Sequence, residues 1–165
     1  MSLPGYPSSI SAGSIRYMSI LKASRTVEVD APKSRCYEII SDLENSPNWQ
    51  ESMVSAKVLE TDADGNASLV EIKSDAKVRE VTSHIAFKYQ PEGGMTWEQK
   101  KGDLKWLNGS WALEDLGDDR TRATYALEAD TGRMLGLLIK GPVQDKVKDM
   151  LTKDAAEGLK KFAES

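Results

Sequence analysis

Between Ser52 and Asp130 the chain is a succession of short segments in which apolar and polar residues alternate, divided by turn-forming residues. A period of two marks strands with one buried face. The last stretch breaks that rhythm. From Val143 to Glu164, the residues Val143, Val147, Met150, Leu151, Ala155, Leu159 and Phe162 fall within one stripe of a helix. A sheet with one apolar face has to cover it. At about 1.5 Å per residue, this helix is the only element long enough to run across such a sheet. A strongly bent sheet wrapped around one helix leaves a hollow between them. That pairing constrains the fold more than any single motif.

The inward faces can be assigned by phase. In "KVREVTSHIAFKYQ" the more apolar set is Arg79, Val81, Ser83, Ile85, Phe87 and Tyr89; His84 falls on the other face. The next strands place Met95, Trp97 and Gln99, then Leu107, Gly109, Trp111 and Leu113, then Thr121, Ala123, Tyr125 and Leu127 on one face each. Trp106 is out of phase with Trp111, so it faces solvent unless a bulge at Asn108-Gly109 re-aims it. Short Gly- and Asp-containing turns join these strands, which predicts an antiparallel meander. Two earlier strands flank the turn Asp62-Ala63-Asp64-Gly65-Asn66.

Ahead of them, "ASRTVEVDAP" reads as a strand ended by Pro32. Cys36, Ile39, Ile40 and Leu43 then recur at helical spacing, with Asp30 or Ser34 as candidate caps. Asn45-Ser46-Pro47 breaks that helix, and Trp49 follows in a short helical turn that closes one end of the sheet. An indole carries a large apolar area, so Trp49 reads as a core plug or an end wall of a pocket. Pro142 suits the first turn of the last helix, and Lys160 and Lys161 suit its C-terminal dipole. The expectation is an α+β fold of six to seven antiparallel strands, two short helices after the first strand, and a long C-terminal helix. Residues 1–22, rich in Ser, Gly and Pro, read as a disordered lead without the pattern of a secretory signal. Residues 23–165 read as one domain.

Composition narrows the function classes. With 39% apolar and 29% charged residues the chain reads as an ordinary globular, cytoplasmic protein, and no apolar run approaches a membrane span. The net charge of -4 argues against a nucleic-acid partner. The single cysteine, Cys36, leaves no internal disulfide and reads as a buried structural thiol. With one histidine, placed outward, no Ser-His-Asp arrangement is at hand. Neither a metal-ligand cluster nor a phosphate- or dinucleotide-binding fingerprint is present. No cofactor or metal is expected.

The blocks "VEVDAPKSRCYEIISDLENSPNW", "SAKVLETDADGNA", "LNGSWALEDLGDDRTRATYALEAD" and "AAEGLKKFAE" together resemble the START-like, or helix-grip, superfamily, also called SRPBCC. More narrowly the chain is similar to the polyketide cyclase/dehydrase-type branch, in the style of actinobacterial members. The resemblance runs from about Ser24 to Glu164 and is most specific in its first block, a strand ending in Ala-Pro, a helix, Asp-Leu and then Pro-x-Trp. It implies a curved sheet wrapped around the C-terminal helix, with a cavity between them for a lipid, quinone, polyketide or other apolar molecule. It does not imply one chemistry.

Candidate ligand contacts follow. Phe87, Trp97, Trp111 and Tyr125, with Trp49, read either as core or as the aromatic wall of a pocket. Arg79 reaches the rim or holds a carboxylate or enolate, and Ser83, Gln99 and Tyr125 are placed to hydrogen-bond a carbonyl or hydroxyl. Met150 joins from the helical stripe. In "RMLGLLIKG" the resemblance places the pocket mouth, with Met134 among the residues of a gate, a dimer contact, a membrane-touching lip or a plain sheet-edge contact. The leading expectation is carriage or sequestration of a hydrophobic small molecule by a monomer or homodimer without stable membrane insertion. The alternatives are a polyketide aromatase/cyclase or dehydratase acting in the same cavity, and a protein-interaction module with a vestigial one. No catalytic residue is assigned.

Overall fold

The structure is a computed structural model and describes residues 20–165. Seven strands form one antiparallel sheet in the order β1-β7-β6-β5-β4-β3-β2. They are β1 (Ile20–Val29), β2 (Met53–Thr61), β3 (Ala67–Asp75), β4 (Glu80–Gln90), β5 (Gly94–Gly102), β6 (Trp106–Gly117) and β7 (Arg120–Asp130). Strands β2 to β7 are a meander, each paired with the next. Strand β1 pairs with β7, so the first strand and the last lie side by side. Between β1 and β2 the chain crosses to the far edge through α1 (Lys33–Ser41) and a 3-10 helix (Leu43–Asn48). After β7 come a short helix α2 (Gly132–Leu138) and the long helix α3 (Pro142–Ala163). Register shifts in β2, between His84 and Ile85 in β4, and at the end of β6 add bend to the sheet.

Helix α3 lies across β1 and β7 and is stapled along its middle and at its C-terminal end. Arg25 on β1 reaches Asp149 at 2.6 Å and Glu157 at 3.1 Å. Near the helix C-terminus the Asp30 amide donates to Glu164 Oε2 (2.7 Å), and Lys160 Nζ donates to the Glu28 carbonyl (2.7 Å). Buried Val147, Ala155, Ala156 and Leu159 form its inner face, whereas Val143 at the helix start is exposed. Pro142 occupies the first turn, where its missing N–H costs nothing.

Four local expectations are corrected. Strand β1 begins at Ile20, which pairs with Asp130, and Leu21 is already buried, so ordered structure starts before residue 23. The expectation for residues 1–19 lies outside the described residues. Neither Asp30 nor Ser34 caps α1: Pro32 holds the cap position, and its carbonyl takes the amides of Arg35 and Cys36. No bulge occurs at Asn108-Gly109; Trp106 is half-buried at the start of an unbroken register. Finally, β4 begins at Glu80, because Lys77 turns the chain with a φ of 71°. Arg79 therefore belongs to a turn.

Two apolar clusters result. The larger joins α1, the 3-10 turn, the inner faces of β3 to β7 and the C-terminal half of α3. It includes Cys36, whose thiol pKa is raised by burial and lowered in part by a hydrogen bond with Thr121. The smaller cluster joins Leu21, Ala76, Val81, Leu135, Ile139 and Val147, with Leu104 and Leu151 packed against it.

Candidate functional site: a cavity under the C-terminal helix

The two clusters face each other across a cavity. About 130 Å³ inside it is open to the centre of a water molecule, many times the roughly 10–15 Å³ that one water needs. A larger open groove of about 540 Å³ runs outside along α3, but charged residues such as Lys153, Glu157 and Lys161 line much of it. The inner space is less open and more apolar than the groove, so it is the candidate ligand site.

One end of the cavity is aromatic. Phe87, Trp97, Tyr125, Trp111 and Trp49 form a chain of tilted and edge-on ring contacts, with successive centroids 5.8, 5.7, 5.0 and 6.3 Å apart. Such geometries suit aromatic quadrupoles. Strand phase places Phe87, Trp97, Trp111 and Tyr125 side by side through the pairs Phe87–Trp97 and Trp111–Tyr125. Two glycines make the arrangement possible. Gly109 pairs with Trp97, and a Cβ on it would sit 2.2 Å from the indole ring. Gly158 on α3 lies so close to the Trp49 carbonyl that a Cβ would come within 2.1 Å of that oxygen.

Trp49 is both plug and wall. It is 7% exposed, lines the cavity, and backs onto the outer groove along α3. Its loop is clamped by Asp154 of α3, whose carboxylate accepts the amides of Glu51 (2.9 Å) and Ser52 (2.6 Å) and the Ser52 hydroxyl (2.5 Å). The Trp49 indole nitrogen is buried and finds no acceptor among the described residues. Beside it, burial pushes the Tyr125 phenol well above the ordinary tyrosine pKa, with a further push from the Asp154 charge and an opposing hydrogen bond with Gln50. Burial thus favours the neutral phenol over the phenolate.

The other end is aliphatic. Leu21, Val81, Leu135, Ile139, Val147 and Leu151 line it. Helix α2 closes it with Leu135 and Ile139 inward, while Met134, Leu137 and Leu138 point out, 82%, 53% and 55% exposed. Among the described lining residues there is no Lys, Arg or His, and the one carboxylate is that of Asp75, an exposed residue whose Oδ1 accepts the Lys77 amide (2.7 Å).

Of the residues expected from sequence, the structure brings Trp49, Ser83, Phe87, Trp97, Trp111 and Tyr125 to the cavity. It does not bring the other four. Arg79 is exposed and pairs with Asp103 at 3.8 Å. Gln99 is consumed by the fold: its Oε1 accepts the Ser83 hydroxyl and its Nε2 donates to the Leu104 carbonyl, each at 2.8 Å. Met134 projects to solvent because α2 turns Leu135 inward instead. Met150 lines the outer groove rather than the cavity. His84 sits off the cavity and meets Glu71 at 3.0 Å, a contact that lowers the Glu71 pKa. Gln50 and Ser52 were missed; their only signal was their place beside Trp49 in "SPNWQES".

This architecture has relatives. The sequence pattern of the family described as polyketide cyclase/dehydrase and lipid transport matches residues 29–155. Among solved structures, a START superfamily protein from Mycobacterium smegmatis is 22% identical, with 87% of this chain and 97% of that chain covered at a TM-score of 0.76. A protein from Thermus thermophilus is 17% identical, with coverage of 86% and 96% and a TM-score of 0.70. The ZhuI aromatase/cyclase from Streptomyces sp. R1128 is 16% identical, with coverage of 88% and 94% and a TM-score of 0.69. At these identities the likeness is one of fold. No curated protein matches the chain in sequence.

Proposed function

The chain belongs to the polyketide cyclase/dehydrase and lipid transport family, and on that premise we propose that it binds a hydrophobic small molecule under α3 and carries or sequesters it. The observation that supports this is the lining: a cavity walled by aromatic rings at one end and aliphatic side chains at the other, with mostly apolar surface. Such a surface gains from covering an apolar ligand at roughly 25 cal/mol per Å² removed from water. The helix-grip fold and the absence of any described helix long and apolar enough to cross a membrane fit this reading.

The test is native mass spectrometry of freshly purified protein, followed by extraction of what is bound. A lipid-, quinone- or polyketide-sized mass is expected. Added ligand at 100 times its Kd should stabilise the fold by about 2.7 kcal/mol. If nothing copurifies and quinones, fatty esters and polyketides all leave the melting temperature unmoved, the proposal fails.

A second reading, cyclisation or dehydration of a polyketide in the same cavity, is favoured by Tyr125. Its buried, protonated phenol lies inside the cavity beside Gln50 and could polarise a ligand carbonyl. Tyr125→Phe separates the readings: turnover of a cyclisable chain would be lost while binding persists.

A further inference from the structure

The exposed apolar residues are not scattered over the surface. Among the described residues, seven large apolar side chains are exposed, and five of them are Val78, Met134, Leu137, Leu138 and Val143. These five belong to the β3–β4 connection, α2 and the start of α3. The inner residues of those segments, Ala76, Leu135, Ile139 and Val147, pack in one cluster, so the segments meet at one end of the molecule. Around α2 the chain splits its apolar residues between two directions. Leu135 and Ile139 turn in, while Met134, Leu137 and Leu138 turn out. The three outward residues line neither the cavity nor the outer groove. They form a protruding apolar edge, and such patches mark contact surfaces.

The charge beside that edge is one-sided. From Thr131 to Lys148 the chain carries Arg133, Lys140, Lys146 and Lys148 against one acid, Asp145, although its net charge is -4. Of the six arginines in the described residues, Arg25, Arg35, Arg79, Arg120 and Arg122 each pair with a carboxylate. Arg133 alone forms no such pair among the described residues, and neither does Lys140 or Lys146. The cations that flank the apolar edge are thus left for something outside the fold.

We infer that this end docks peripherally on an anionic lipid surface, with Met134, Leu137 and Leu138 entering the interfacial layer and Arg133, Lys140 and Lys146 meeting the headgroup anions. Protruding apolar side chains flanked by unpaired cations are what such a surface rewards, through apolar burial and charge attraction together. Helix α2 has seven residues, roughly 10 Å of helix, so it lies in the interface and does not cross. A second copy fits worse. A two-fold contact sets each patch against itself, which would bring Arg133 and Lys140 toward their own counterparts, with Asp145 the one acid of the segment to answer them. The inference goes beyond the binding proposal and does not rest on it, because docking needs no ligand in the cavity.

Co-sedimentation of the full chain with vesicles tests it, one set of phosphatidylcholine alone and one with about a third phosphatidylserine. The chain should bind the anionic set at least about tenfold more tightly, and the margin should shrink in about 0.5 M salt. Arg133→Gln with Lys140→Gln should lose about tenfold on the anionic set. Met134→Ser with Leu138→Ser should lose about as much, with an unchanged melting temperature because both side chains already stand largely in water. Val54→Ser, at an exposed apolar residue of β2, should bind as the wild type does. Absence of binding to either set overturns the inference, as does equal binding to both. Unchanged binding of the Met134→Ser, Leu138→Ser variant overturns it too. So does a wild type that runs as a dimer and a variant at those two positions that runs as a monomer, since the edge is then the seat of a second copy. In each case the cavity proposal stands apart, because these substitutions leave its lining intact.

Discussion

The two ends of the cavity are built on different principles. The aromatic end is a chain of five rings, carried by four neighbouring strands of the meander, β4 to β7, and the loop after the 3-10 turn. It belongs to the larger core and is pinned by the Asp154 clamp. The aliphatic end is a satellite cluster that depends on the short helix α2, three of whose four apolar side chains face solvent. Pinned walls hold a shape, whereas a lightly packed cap opens at low cost. Under the binding proposal, the pinned end would select the ligand and the capped end would pass it.

The largest effect that would break this contrast comes from truncating one residue at each end. Trp111→Ala should lose about 3–5 kcal/mol of unfolding free energy in a urea titration. Leu135→Ala should lose about 2 kcal/mol, at the lower margin for buried leucines, and should speed ligand release more than it weakens the fold. Equal losses would show that the two ends are one core. A smaller effect appears in alkali. Burial raises the Tyr125 phenol, and raises Tyr89 to about 12. A folded-state pKa above the unfolded one means stability that is full below pH 10 and falls as pH rises past it. Wild-type melting temperature should therefore drop between pH 10 and 12, and Tyr125→Phe should flatten that drop. The smallest lies far from the cavity. Lys160, with the Asp30 amide, holds Glu164 below the ordinary glutamate value of 4.5. Its contribution is present above that value and fades as pH falls below it. Glu164→Gln should remove that part of the acid dependence, about 0.5 kcal/mol for a pair so near solvent.

The same contrast explains what the sequence could disclose. The aromatic end was legible because period-two alternation fixes which side chains share a face, and Phe87, Trp97, Trp111 and Tyr125 obey it. Arg79 failed for a local reason: a left-handed turn at Lys77 delays the start of the strand to Glu80, just past Arg79. Gln99 was read correctly as inward but is satisfied across the sheet by Ser83 and Leu104. At the aliphatic end "MLGLLI" is apolar on every side, so its helical phase carries no information about which residues turn in. The clamp from Asp154 to Ser52 joins positions about a hundred residues apart, and no local pattern announces it.

Gly109 never contributes a side chain, yet the missing methyl is what lets the Trp97 indole lie flat beside β6. A larger residue there would drive the ring toward the cavity and shrink it from behind. The gauge of the chamber is therefore set partly by an empty position in its scaffolding.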